Sequence, residues 1–348
     1  MLNKRLNSIM FLSFLVMVLP FPLKSFGPTG HFIVARIAEL ELQNHPNYSD
    51  IMGILDILSS YTKEKNHPFV EAATWPDDIK YLSWKSMNTW HYDNAYVDGE
   101  KVIPTSQYEE LGLKNDPTDI VKAINDAKAT LRNTRFSLVD DKLGKSINLR
   151  MLIHLVGDIH QPLHSCTLVN SQFPKGDMGG NKFVIDMPGA RNLHSYWDRV
   201  LKKYQNLSCP LSDLHFGKLE NMVAVILSKY PRSHENISGR LSKTSIRDWA
   251  NESVKICLQY VYNGILPGEE PSPEYILNGQ KIMDEQLAVA GYRLADTIKS
   301  FFVKENVFAS HKKKSKITRI IQDSGTFKNN NLMMFGFKIF FIYFNLIN

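Results

Sequence analysis

His154 and Asp158 stand four residues apart, and His194 and Asp198 repeat the spacing downstream. On a helix that interval puts both side chains on one face, within reach of a single metal ion. One such pair is commonplace. Two of them point to a metal centre when His164 follows just past Pro162 and His31, Asp77 and His91 lie upstream. Imidazole nitrogen with carboxylate oxygen is a donor mix that zinc accepts, and a catalytic zinc keeps a position open for water. Asp158 falls on or beside an apolar helical stripe, where a carboxylate without a cation would cost several kcal/mol. Three ions sharing one bridging carboxylate need roughly nine or ten protein ligands. The eight side chains supply most of these. A chain beginning at Phe26 would add its terminal amine and carbonyl. His160 lies off the His154/Asp158 face and reads as a support for the ligands.

These residues need rigid helices to hold them. Residues 31–42 carry Ile33, Val34, Ile37, Ala38 and Leu42 at helical spacing, with Arg36, Glu39 and Glu41 between. Residues 119–131, 146–159, 248–261 and 282–302 behave alike. The 146–159 segment predicts burial of Ile147, Met151, Leu152, Leu155 and Val156. Strand-like alternation is scarce, and 182–187, bounded by Gly and Pro, is the best short candidate. The reading is a mainly α protein, one compact helical domain with a short β-hairpin-like excursion. Residues 1–25 read as a signal peptide, 26–303 as the catalytic domain and 304–348 as a basic, then apolar tail.

Compartment follows from the same residues. Lys4 and Arg5 precede an apolar run from Ile9 to Leu19, and Ser25 is a plausible cleavage point. Asn-x-Ser sequons at Asn47, Asn206, Asn236 and Asn251 fit a glycosylated, secretory route. Three cysteines exclude a disulfide framework. Cys209 with Cys257 is the expected bridge, leaving Cys166 as a buried thiol. The formal charge of +6 suggests a polyanion binder, but eleven of the 41 basic residues lie in 1–25 and 301–348 with only two of the 35 acidic ones. The body therefore has a slight acidic excess. Any attraction for phosphate must come from bound metal and local cations.

Taken in order, several segments resemble a known family. They are Phe26-Gly27-Pro28-Thr29-Gly30-His31, Thr74-Trp75-Pro76-Asp77-Asp78-Ile79, Trp90-His91-Tyr92, His154 through His164, Asp177-Met178-Gly179-Gly180-Asn181, and Asn192 to Asp198. The pattern is similar to the zinc-dependent, single-strand-specific nucleases of fungi and plants and to the protozoan 3′-nucleotidase/nucleases. The resemblance implies three zinc ions. One is expected on Asp77, His91, His154 and Asp158, and a second on His164, His194 and Asp198. A third is expected on His31, a bridging Asp158 and the backbone of Phe26. The family places Trp at this last position, so Phe26 is a departure; backbone atoms chelate, and Phe can substitute. The implied activity is metal-assisted hydrolysis of single-stranded RNA or DNA to 5′-phosphates by a secreted monomer. Its catalytic residues are Asp77, Lys80, Asp158 and Asn181, of which Lys80 and Asn181 hold the phosphate, and Tyr92 stacks a base whose edge Asp93 or Asn94 reads. Trp75, Trp90 and Trp197 flank ligands as cleft walls. Two other readings share these features: a zinc phospholipase C, which tends to place Glu where Asp198 stands, and a non-catalytic secreted metal-binding glycoprotein.

Overall fold

The computed structural model describes residues 27–82, 85–114, 117–132 and 139–302. The signal segment, Phe26 and the tail lie outside the described residues. Three long helices pack on one another, and the first and the central one carry candidate site residues. The first, Pro28–Leu42, has proline in its first turn, where a fixed φ helps and the missing N–H costs nothing. Its pattern predicts a one-sided stripe, yet Phe32, Ile33, Val34, Ala35, Ile37, Ala38 and Leu42 are all fully buried. The reason is packing: the central helix Val139–His160 and the last helix Pro273–Lys299 both lie against it. Each Ile or Leu so buried contributes on the order of 2 kcal/mol, so tertiary burial holds this helix more than intrinsic propensity does.

The central helix is longer than the predicted 146–159, and Ile147 is only half-buried, while Met151, Leu152, Leu155 and Val156 are in the core. The predicted 119–131 segment is the helix Ile120–Arg132. The predicted 248–261 segment is an α-helix, Ile246–Ile256, followed by a π turn, Cys257–Val261. The last helix begins at Pro273, nine residues before the predicted start, because Ser272 caps it by accepting the Tyr275 N–H at 3.1 Å.

The sheet corrects one expectation. Residues 182–187 form no strand; Met187 makes only an isolated antiparallel bridge to Ala190. Among the described residues the two strands are β1, Ala95–Val97, and β2, Cys166–Leu168, and they pair in parallel, Ala95 opposite Cys166. Their pairing is not a hairpin. It sets the segment after His91 beside the segment after His164, so the sheet itself brings two candidate ligands together.

The disulfide is a second correction. Cys166, not Cys209, pairs with Cys257, across a Cα–Cα distance of 6.7 Å. Cys166 opens β2 and Cys257 opens the π turn, a juxtaposition that depends on long-range packing. Cys209 is a free, half-buried cysteine whose Sγ lies 3.5 Å from the Lys63 carbonyl. The bond therefore anchors the chain two residues past His164.

Candidate metal centre

Asp158 is fully buried near the end of the central helix and faces four imidazoles. Its Oδ2 lies 2.9 Å from His91 Nδ1 and 3.0 Å from His154 Nε2. Its Oδ1 lies 3.4 Å from His31 Nε2 and 3.5 Å from His164 Nδ1. The helix places His154 one turn before Asp158, and the first helix delivers His31, whose ring stacks on that of His154 at 3.9 Å. Asp77, in the first turn of the helix Trp75–Leu82, sets its Oδ1 3.8 Å from His154 Nε2 and 4.0 Å from His91 Nδ1. Lys80, one turn on and buried, donates to that same oxygen at 3.2 Å.

A second group stands beside the first. The short helix Leu193–Asp198 is started by a capping box, in which Asn192 accepts the Ser195 N–H at 2.8 Å. That turn fixes His194 and Asp198 on one face, His194 Nε2 being 3.3 Å from Asp198 Oδ2. His164 Nε2 completes the group, 3.4 Å from Asp198 Oδ1. Three sets of donor atoms each fall within 4.8 Å of one another: His31, Asp77 and His154; His91, His154 and Asp158; His164, His194 and Asp198.

The donor chemistry fits a cation. The Nδ1 atoms of His154, His164 and His194 bond the carbonyls of Ala73, His91 and Gly179 at 2.6, 2.8 and 2.6 Å. A carbonyl can only accept, so each of these Nδ1 atoms carries its hydrogen, and each Nε2, on losing any proton, offers its lone pair to a cation, as in metal-bound histidines. His194 Nε2 lies across from Asp198 Oδ2, and that oxygen is buried without a hydrogen bond. His91 Nε2 is likewise buried without one. Unpartnered buried acceptors cost about 1–3 kcal/mol each, which a bound cation would remove.

The electrostatics agree. Burial pushes the Asp158 carboxyl up, but the imidazoles of His154 and His164 outweigh it and hold it well below the usual carboxylate range. Burial likewise works against the charged His164, yet Asp158 and Asp198 raise it to about 9. Burial depresses His91 to about 4 and lowers His31. The cavity thus concentrates negative charge and answers it with protons, which metal ions displace when they bind.

The glycine pair in the 177–181 segment has a geometric task. Gly179 has φ +60°, and an added Cβ would meet the Leu163 carbonyl oxygen at 2.5 Å. Only glycine lets this turn approach closely enough for its carbonyl to hold His194. Asp177 braces the turn from within the core, accepting from the Leu168 N–H and the Tyr262 hydroxyl, each at 2.9 Å; burial raises its carboxyl to about 6. Asn181 sits at the turn's edge with its amide donating to Met178 O at 2.9 Å.

Tyr92 is half-buried beside His91, and Asp93 donates its N–H to the His164 carbonyl at 2.7 Å. The Asp93 carboxylate is bonded by Arg247, and Asn94 Oδ1 accepts from Thr167 at 3.2 Å. His160 faces away from the centre: it bonds the Val156 carbonyl at 2.7 Å and Arg293 at 2.9 Å, so it packs the far side of the helix. The neighbouring Gln161, to which the sequence reading assigns no role, takes the supporting part instead. It is fully buried and donates from Nε2 to Asp198 Oδ1 at 2.7 Å. An amide standing between His160 and Pro162 inside the His154–His164 block was the available signal.

The family model described as S1/P1 Nuclease matches residues 26–303. Endonuclease 2 of Arabidopsis thaliana is 28% identical over 285 residues, covering 80% of this chain and 90% of that protein. Endonuclease 5 of the same plant is 25% identical over 292 residues, covering 80% and 90%. Nuclease S1 of Aspergillus oryzae is 25% identical over 283 residues, covering 78% and 89%.

Proposed function

The chain belongs to the S1/P1 nuclease family, and on that premise we propose that it is a secreted, zinc-dependent phosphodiesterase cutting single-stranded RNA and DNA to 5′-phosphate products. The observation that carries this reading is Asp158, fully buried among His31, His91, His154 and His164 with a second His/Asp group beside it. Asp77, His91, His154 and Asp158 would hold one zinc, and His164, His194 and Asp198 a second. His31, Asp158 and the amine and carbonyl of a processed Phe26 would hold a third. Gly27 supports the last assignment, because its N–H donates to the Asp198 carbonyl at 2.9 Å and a Cβ there would meet that oxygen at 2.8 Å. Bound zinc supplies a Lewis acid for the phosphoryl group and lowers the pKa of water to near neutrality.

The chain's own residues do the rest. Lys80 is positioned by Asp77 to pair with a phosphate oxygen, and the Asn181 amide can donate to another. Tyr92 offers an aromatic face on which an unstacked base can lie, which favours single strands over duplex. Three sequon asparagines, Asn206, Asn236 and Asn251, are exposed, in keeping with a secretory route. We read the protein as a monomer whose residues 26–303 are the catalytic domain, with 3′-nucleotidase activity at the same centre.

The test is hydrolysis of single-stranded RNA and DNA, beside matched duplex, by protein beginning at Phe26. The expected result is release of 5′-mononucleotides from single strands, lost on adding a zinc chelator and restored by zinc. Cleavage indifferent to chelation, or faster hydrolysis of phosphatidylcholine than of nucleic acid, would contradict the reading.

A further inference from the structure

The strip that follows His91 is held from outside by one cation. Arg247 lies in the first turn of the helix Ile246–Ile256, where the helix dipole disfavours positive charge. What holds it there is acidic. Its Nη1 bonds Asp93 Oδ2, and its Nη2 lies 3.1 Å from Asp119 Oδ2. Asp119 in turn starts the helix Ile120–Arg132, its Oδ1 accepting the Lys122 N–H at 2.8 Å. The Ile120 N–H donates to the Tyr92 carbonyl at 3.1 Å, and the Asp93 N–H to the His164 carbonyl at 2.7 Å. Two helices and a candidate metal ligand therefore converge on Tyr92 and Asp93, and the guanidinium joins Asp93 to the start of the helix Ile120–Arg132.

We infer that Arg247 is a positioning residue for substrate: acting through Asp93, it fixes the Tyr92-Asp93-Asn94 strip against the metal centre and so governs binding of the base. The inference rests on the reading that this strip takes the base. Because Arg247 bonds its carboxylate, Asp93 serves to hold the strip. A fork that bridges two carboxylates is a task for arginine, since lysine offers a single point charge.

The experiment compares Arg247→Ala and Arg247→Lys with the wild type in the full, zinc-loaded protein. KM and kcat are measured on a dinucleotide and on bis(p-nitrophenyl) phosphate, a diester without a base. Arg247→Ala should raise KM for the dinucleotide about tenfold while leaving its kcat within about twofold. KM for the base-free diester should move by less than about twofold, and zinc content should match the wild type. Arg247→Lys should fall between. Adding Asp93→Asn to Arg247→Ala should cost little more than either change alone, since both act through one contact. An equal rise in KM on both substrates, or none on either, would overturn the role of Arg247 alone. A wild-type enzyme with no preference for the dinucleotide over the base-free diester would overturn the base-binding strip, and this inference with it.

Discussion

Asp158→Asn should lose at least about a thousandfold in kcat/KM on both RNA and DNA. Replacing groups that merely support a metal ligand typically costs 10–100-fold, and Asp158 stands nearer the centre than that. Its two oxygens approach His31, His91, His154 and His164 within 3.5 Å, so in the proposed assignment this one residue would serve both the first zinc set and the third. An amide keeps the shape but gives up the charge and one of the two acceptor oxygens. The variant should also bind less zinc. Its helical circular dichroism should remain, because the packing of Leu152, Leu155, Val156 and Ile159 does not depend on the carboxylate. A folded Asp158→Asn variant with wild-type turnover would remove this residue from the mechanism.

The second large effect concerns where the chain begins. Gly27 donates its N–H to the carbonyl of Asp198, a candidate metal ligand, so the described chain begins beside the second His/Asp group. If the free amine and carbonyl of Phe26 are ligands, one additional residue ahead of Phe26 turns the amine into an amide, which donates a hydrogen and binds metal poorly. Such a protein should carry one zinc fewer and retain only about 1% of the activity, a loss of about 2.7 kcal/mol in transition-state stabilisation. Proteolytic trimming back to Phe26 should restore both. Equal zinc content and equal rates for the extended and trimmed proteins would show that the third site does not use the terminus.

How much of this was legible in the sequence depended on the range of the interaction. The pairs His154/Asp158 and His194/Asp198 could be read directly, because a helical turn fixes them locally. The helices could be read from periodicity, although the first helix conceals its all-round burial behind Arg36, Glu39 and Glu41. These acids and the base find partners of their own: Arg36 bonds Glu39 at 2.7 Å and also Glu220. What could not be read was contact between distant segments. The parallel pairing of β1 with β2, the Cys166–Cys257 bond and the Arg247 bridge to Asp93 each join parts of the chain whose proximity no local pattern encodes. Short strands of three residues carry little alternation, so 182–187 looked more strand-like than either real strand. Gln161 was visible but unassigned, since nothing in its neighbours announces that Asp198 lies across from it.

In the proposed function, His31, Asp77, His91, His154, Asp158, His164, His194, Asp198 and the terminus of a chain processed to Phe26 would form a three-metal centre. The most direct test is the zinc content per mole of protein processed to Phe26, by elemental analysis after exhaustive dialysis at neutral pH. Three zinc ions per chain are expected, falling when Asp158 is replaced. One ion or none, in protein shown to be folded and active, would contradict it.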